Sequence, residues 1–164
     1  MIILGIDPGL QVCGYAVIKA ELLRITLLEA GVFRTDSKKE LGQRLNQLAG
    51  DMQEVLEKYK PGVVAVEQLY SHYAHPRTAV LMGHARGVIL QKCAESGIEV
   101  KSFNPTRIKK SVTGSGRAKK EQVQRTIQSI FHLSRLPEPA DVADAIAVAL
   151  CCANSNADEK IVRK

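Results

Sequence analysis

Short apolar runs that end in turns open the chain. Residues 2–7 (IILGID) are apolar up to Asp7, and Pro8 and Gly9 follow, a pair that stops a strand and turns the chain. Residues 12–18 and 22–33 are rich in β-forming residues, and only a few residues separate them, which is typical of antiparallel neighbours. The pattern predicts three consecutive strands.

The apolar period then changes from strand to helix. Between residues 39 and 59, apolar side chains recur every three or four positions with Lys, Glu, Gln and Arg between them, and Pro61 follows. This pattern predicts an amphipathic helix. Residues 63–69 (VVAVEQL) form a second apolar run, typical of a strand that is buried on both faces, and this run contains Glu67.

Helix and strand alternate in the second half of the chain. Pro76 suits the first turn of a helix that runs to about Ser96, where Gly97 provides a stop, and residues 98–103 are predicted to form a fifth strand. Such alternation favours parallel pairing. Three antiparallel strands followed by parallel strands predict an α/β protein with the ribonuclease H-like fold, a five-stranded mixed sheet flanked by helices.

A helix with almost no polar face is predicted for residues 139–154, and a helix that is apolar all round is buried. Asp141 and Asp144 lie three positions apart on one of its faces. Because an unpaired buried carboxylate is costly, we expect a cation to meet them. The polar residues 155–164 are predicted to be a disordered tail, so that 1–154 form a single domain.

The net charge points to a polyanionic partner. The chain has 23 Lys and Arg against 17 Asp and Glu, a formal charge of +6, although charge alone does not separate DNA from RNA or the ribosome. Residues 101–125 are predicted to form a basic loop before the next helix. The basic residues of this segment are Lys101, Arg107, Lys109, Lys110, Arg117, Lys119, Lys120 and Arg125.

Nothing in the sequence indicates export or a membrane. The first residues lack a basic region and a signal-length apolar stretch, and the longest apolar run, 145–153, is too short to cross a bilayer. Cys13, Cys93, Cys151 and Cys152 form no metal-ligand framework and are predicted to be reduced, packed thiols. We therefore expect a cytoplasmic protein.

Four acidic residues are the candidates for chemistry. If the strands that end at Asp7 and Glu67 are adjacent and parallel, their carboxylates emerge side by side. Plainer interpretations exist: Asp7 starts a turn, Glu67 marks where its strand reaches solvent, and Asp141 is a first-turn acid favoured by the helix dipole. Asp144 is harder to explain in this way.

Converging carboxylates repel one another unless divalent cations neutralise them, and oxygen ligands favour Mg²⁺ or Mn²⁺. Two metals about 4 Å apart would clamp one phosphate, with one activating water and the other stabilising the leaving 3′ oxygen. An acidic site in a basic surface suits the cleavage of a phosphodiester that leaves a 5′-phosphate.

Five motifs stand in order along the chain: GIDPG at 5–9, VEQLY at 66–70, GHARG at 83–87, VTGSGRAKKEQV at 112–123 and PADVADAIAVAL at 139–150. Together they resemble the RuvC Holliday junction resolvases over residues 2 to about 154. GIDPG alone would be weak evidence, whereas the ordered set is specific.

The resemblance implies an endodeoxyribonuclease of recombination and repair that nicks two opposing strands of a four-way DNA junction symmetrically. Its catalytic residues and metal ligands would be Asp7, Glu67, Asp141 and Asp144, with two Mg²⁺ per subunit and Mn²⁺ as a substitute. The family also implies a homodimer, for which the helix at 76–96 offers apolar residues, and the branch-migration proteins RuvA and RuvB as partners.

The resemblance also implies a DNA-binding surface. Tyr70 stands where the family places an aromatic residue that stacks on unpaired bases, a contact worth roughly 1 to 3 kcal/mol per base, although it could be an ordinary half-buried tyrosine. Lys109 and Lys120 match basic positions near the scissile phosphate. Four further basic residues either hold backbone further out or are solvated surface. These four are Arg107, Lys110, Arg117 and Lys119.

The segment SHYAHPRT at 71–78 departs from the family pattern and leaves the cleavage sequence open. His72 and His75 within it could bind a metal, but loop histidines more often face solvent or a phosphate.

Other classes of protein fit less well. GIDPG also resembles the first phosphate loop of actin-like ATPases and sugar kinases, but those proteins need two such lobes and further glycine-rich loops. A non-catalytic nucleic-acid binding module would not need all four acids. Ribonuclease H and the YqgF-type proteins are the nearest rivals, and Tyr70 together with the complete Asp-x-x-Asp helix favours a junction resolvase over both.

Overall fold

The computed structural model describes residues 1–22, 24–69 and 76–162. Its strands are β1 (Ile2–Asp7), β2 (Val12–Ala20), β3 (Ile25–Arg34), β4 (Val63–Glu67) and β5 (Glu99–Phe103). Its helices are α1 (Leu41–Tyr59), α2 (Pro76–Glu95), α3 (Pro105–Thr113), α4 (Lys120–Phe131) and α5 (Ala140–Val162). Tyr70, His72 and His75 lie outside the described residues.

The strands of the described residues form one mixed sheet in the order β3-β2-β1-β4-β5. β1 pairs antiparallel with β2, and β2 with β3, whereas β1 pairs parallel with β4, and β4 with β5. The predicted mixed sheet is therefore confirmed. Ile6 lies opposite Val66, so the strands that end at Asp7 and Glu67 reach the same edge of the sheet.

Two hydrophobic cores cover the two faces of the sheet. On one face, Ile3 packs with apolar residues of α3, α4 and α5. On the other face, Leu4 and Ile6 pack with apolar residues of α1 and α2. Because successive side chains of a strand point to opposite faces, the continuous apolar run of β1 contributes to both cores.

Two glycines let α5 lie close against the sheet. A Cβ atom on Gly5 of β1 would overlap the carbonyl oxygen of Ala145, and one on Gly14 of β2 would overlap the carbonyl oxygen of Asp141. Real Cβ atoms do not approach so closely, so a side chain at either position would push the helix away. The glycines thus help to set where the acidic residues of α5 stand.

The prediction of a basic loop before the next helix is wrong, because residues 105–113 of that segment form α3. The Asn104 side chain accepts a hydrogen bond from the backbone N–H of Thr106, Pro105 occupies the first turn, and Gly114 ends the helix with φ of 80°. These are ordinary start and stop signals of a helix. These signals are present in the sequence, but the many basic residues of the segment favoured the prediction of a loop.

The last helix also differs from its prediction at one end. α5 starts at Ala140 as expected, but it continues to Val162 rather than ending near Asn154. Ser155 is buried in this extension, and its hydroxyl donates to the carbonyl oxygen of Cys151. The polar composition of residues 155–164 had instead favoured the prediction of a disordered tail.

Two other predictions concern thiols and membranes. Cys13, Cys93, Cys151 and Cys152 are buried free thiols, as predicted. In the part of the chain that the structure describes, no helix combines the length and the apolar character needed to cross a bilayer.

Candidate active site

A cavity of about 660 Å³ lies at the edge of the sheet where β1 and β4 end. The structure brings all four predicted acidic residues to it, together with two of the predicted basic residues. We call Asp7, Glu67, Asp141 and Asp144 the acidic floor, and Lys109 and Lys120 the basic wall.

Three elements that are distant in sequence position the acidic floor. Asp7 is the last residue of β1, and Glu67 is the last residue of β4, so parallel pairing puts both at one edge. Asp141 and Asp144 lie one helical turn apart at the start of α5, which packs against β1 and β2. Val142, Ala143 and residues 145–153 of this helix are apolar and buried, and this anchors the two carboxylates.

Burial and mutual repulsion raise the pKa values of Asp7 and Glu67 in the acidic floor. Desolvation raises the pKa of Asp7 from 3.8 to about 8, with further increases from Glu67, Asp144 and Asp141. Desolvation also raises the pKa of Glu67 to about 7, and the charge of Asp144 adds to this. Grouped carboxylates with raised pKa values are typical of functional sites.

The basic wall partly offsets this repulsion. The Nζ atom of Lys120 lies 3.2 Å from Oδ2 of Asp144, which raises the pKa of Lys120. The charge of Lys120 lowers the pKa of Asp7, and Lys109 and Lys120 together lower that of Glu67. Lys109 projects from α3, so the helix that the sequence analysis missed carries one of the predicted site residues.

The donor set of the cavity fits a hard divalent cation, because four carboxylates offer only oxygen ligands. No group of three or more His, Cys, Asp or Glu residues among those described is already arranged to hold a metal ion. Asp144 instead contacts the ammonium group of Lys120. All four acids nevertheless line the same cavity.

The other predicted DNA-binding residues that the structure describes do not line this cavity. Arg107 donates a hydrogen bond of 2.9 Å to the Ser155 hydroxyl, and its guanidinium group lies 5.3 Å from the centre of the Phe103 ring. This side chain therefore also ties α3 to α5. Three exposed residues stand further out on the basic segment, namely Lys110, Arg117 and Lys119.

Sequence reasoning missed Arg44, which lines the same cavity from α1. Its side chain is buried, with a relative exposure of 9%, and its Nε donates to the Thr35 hydroxyl at 3.0 Å. A signal was present in the sequence. Arg44 falls three residues after Leu41 and four before Leu48, on the apolar stripe of an amphipathic helix, where a charged residue is unexpected.

Comparison with known proteins agrees with this geometry. The family model described as crossover junction endodeoxyribonuclease RuvC matches residues 3–152. The chain is 50% identical over 149 residues to that enzyme from Rhodopirellula baltica, covering 91% of this chain and 84% of the relative. It is 42% identical over 155 residues to the enzyme from Heliobacterium modesticaldum, covering 94% and 95%.

Among solved structures, Thermus thermophilus RuvC in complex with a Holliday junction substrate matches with a TM-score of 0.90 and 31% identity. The match covers 97% of this chain and 96% of the Thermus chain. A second structure of Thermus thermophilus RuvC matches with a TM-score of 0.84. These matches confirm the predicted ribonuclease H-like fold.

Proposed function

Because this chain belongs to the RuvC family of crossover junction endodeoxyribonucleases and is a metal-dependent Holliday junction resolvase, we propose that the acidic floor is its catalytic centre. One observation supports the proposal above all. Carboxylates from β1, β4 and α5, three elements that are distant in sequence, line one cavity beside two lysines.

In this proposal the acidic floor holds the cations. Asp7 and Glu67 bind from the sheet edge, and Asp141 and Asp144 bind from the first turns of α5. Divalent cations, when bound, activate the attacking water and stabilise the leaving 3′ oxygen, which yields 5′-phosphate and 3′-hydroxyl ends. Two Mg²⁺ per subunit, with Mn²⁺ as a substitute, remain our prediction.

The lysines of the basic wall position the substrate. Their charges neutralise a phosphate that would otherwise be repelled by four carboxylates. The contact between Lys120 and Asp144 keeps that ammonium group over the acidic floor. Lys109 acts from α3, on the side of Glu67. Together they would hold the scissile phosphate over the metal ligands.

Further contacts with the junction would come from outside the cavity. We assign backbone binding to Lys110, Arg117 and Lys119, which are exposed, and a weaker contribution to Arg107, which is engaged with α5. Tyr70 would stack on unpaired bases near the junction centre.

We further propose that residues 1–154 act as a single nuclease domain within a homodimer, which would place two active sites on opposing strands. The surface of α2 supports this pairing. Val80 is 59% exposed, and apart from the adjacent helix backbone no atom of the described residues lies within 4 Å of a Cβ atom built on Gly83 or Gly87. Cooperation with RuvA and RuvB, and a cytoplasmic location, belong to the same proposal.

The test is to incubate the purified protein with a synthetic four-way junction, a matched duplex and an RNA–DNA hybrid, in Mg²⁺ or in EDTA. Paired, symmetric nicks that are confined to the junction and absent in EDTA are the expected result. Cleavage of the hybrid instead would assign a ribonuclease H activity. Tight junction binding without any cleavage would mean that the acidic floor is not catalytic.

A further inference from the structure

The active-site cavity is lined by a further cationic side chain, Arg44, that has no role in the proposed mechanism. The lysines of the basic wall come from α3 and α4, whose apolar residues pack on the same face of the sheet as α5. Arg44 comes from α1, which packs on the opposite face. The cavity therefore reaches around the edge of the sheet, with lysines on one side and an arginine on the other.

Arg44 is held in place by a chain of hydrogen bonds. Its Nε donates to the hydroxyl of Thr35, which is 7% exposed, and this hydroxyl donates to the carbonyl oxygen of Leu10. The backbone N–H of Thr35 also donates to the carbonyl oxygen of Gln11, at 3.2 Å. These bonds join the guanidinium group to the loop that directly follows Asp7.

The rest of the guanidinium group is available to a ligand. Among the described residues, no carboxylate or carbonyl oxygen accepts a hydrogen bond from its terminal Nη groups. The Nη atoms are not among the buried polar atoms that lack a hydrogen-bond partner. Because Arg44 lines the cavity, these atoms reach it. A charged group that is largely buried on an apolar helix face needs a counter-charge, and a planar guanidinium suits the oxygens of a phosphate.

We propose that Arg44 binds a backbone phosphate of the cleaved strand, one that neighbours the scissile phosphate on the side away from the basic wall, and that Thr35 positions its guanidinium group. This inference rests on the proposed function. A strand that crosses the acidic floor would then be held at both sides. The link through Thr35 to Leu10 also connects this phosphate contact to the loop that carries on from Asp7.

The experiment compares four variants with the wild-type enzyme after thermal unfolding has shown that each is folded. Arg44→Met removes the charge and keeps an apolar stem, Arg44→Lys keeps the charge without the planar fork, and Thr35→Val removes only the hydroxyl that positions it. Arg125→Met is the matched control, because Arg125 is exposed, paired with Glu121 at 2.7 Å and outside the cavity.

Junction affinity is measured in EDTA over a range of salt concentrations. We expect Arg44→Met to reduce the log-log salt slope by about 0.9, the value for one phosphate contact. Arg44→Lys should keep the slope but bind less tightly, and Arg125→Met should match the wild type. Thr35→Val should keep the slope and weaken binding, because the charge remains while its orientation is lost.

A second measurement places a single neutral methylphosphonate at each position around the cleavage site. At one position beside the scissile phosphate, the wild-type enzyme should lose roughly 10-fold or more in affinity, whereas Arg44→Met should lose nothing further. If Arg44→Met keeps the wild-type slope and the wild-type sensitivity at every position, the inference is wrong. Failure of the wild-type enzyme to cut the junction would instead overturn the proposed function, whatever the variants do.

Discussion

The acidic floor and the basic wall of the cavity are built in opposite ways. The floor stands on the most deeply buried elements of the fold: Ile6 and Val66, which precede its strand-end acids, are completely buried. The Lys120 side chain of the wall is 71% exposed at the start of α4. Groups that must hold a fixed geometry are therefore anchored in the core, whereas Lys120, which would neutralise a polyanion, stands at the surface on a flexible stem.

The largest expected effect separates cutting from binding. Asp7→Asn or Asp144→Asn should reduce junction cutting at least about 100-fold, because each removes a charged ligand from the floor. Binding should remain, since the basic residues are untouched. Cutting is measured in Mg²⁺ and affinity in EDTA, with Lys120→Met as the contrasting variant that weakens binding. If the acidic variants lose binding in proportion to cutting, the division between floor and wall is wrong.

A smaller effect tests whether the floor depends on close packing. Gly14→Ala would force its new methyl group against the carbonyl oxygen of Asp141, so we expect a loss of about 1 to 3 kcal/mol in the free energy of unfolding. Cutting should fall as well, because α5 moves. Urea unfolding measures the first effect, and a junction assay measures the second.

The matched control for that change is Gly50→Ala in α1. Apart from the adjacent backbone of the helix itself, no atom of the described residues lies within 4 Å of a Cβ atom built there, so the protein should become more stable by about 0.5 to 1 kcal/mol, the gain expected for alanine over glycine in a helix. Equal losses in Gly14→Ala and Gly50→Ala would show that the close approach at Gly14 has no special importance.

The smallest predicted effect concerns pH. The pKa of Asp7 in the folded protein is about 8, against an ordinary value of 3.8, so between these values the folded state binds more protons than the unfolded state. Without divalent cations, the contribution of this group to stability is complete below about pH 4 and is lost as the pH rises through 8. Glu67, with a pKa of about 7, acts in the same direction.

Thermal unfolding in EDTA between pH 5 and 9 measures this effect. Asp7→Asn should flatten the decline in stability with pH, because an amide does not titrate. Its melting temperature at pH 9 should exceed that of the wild type by a few degrees, on the order of 2 to 4 °C for each kcal/mol recovered. Parallel profiles for the two proteins would show that the pKa of the Asp7 carboxyl group is not raised in the folded protein.

Much of the fold could be predicted because its signals are local. The apolar runs of β1 and β4 and the stripe of α1 are visible within a few residues, and the structure confirms these elements. α3 was not predicted, although Asn104, Pro105 and Gly114 are start and stop signals of a helix, because eight basic residues made the segment resemble a loop. The prediction therefore did not place Lys109 on a helix.

The sequence by itself determined which residues are buried and which acids interrupt that burial: Asp7 and Glu67 at strand ends, and Asp144 on a helix with no polar face. These features follow from periodicity, which acts over one or two turns of chain. Tertiary structure alone decided that β4 pairs with β1 and that Gly14 admits α5. It also decided that Arg44 reaches the same cavity from the other face of the sheet. Those outcomes depend on contacts between segments far apart in sequence, and only the packed core brings such segments together.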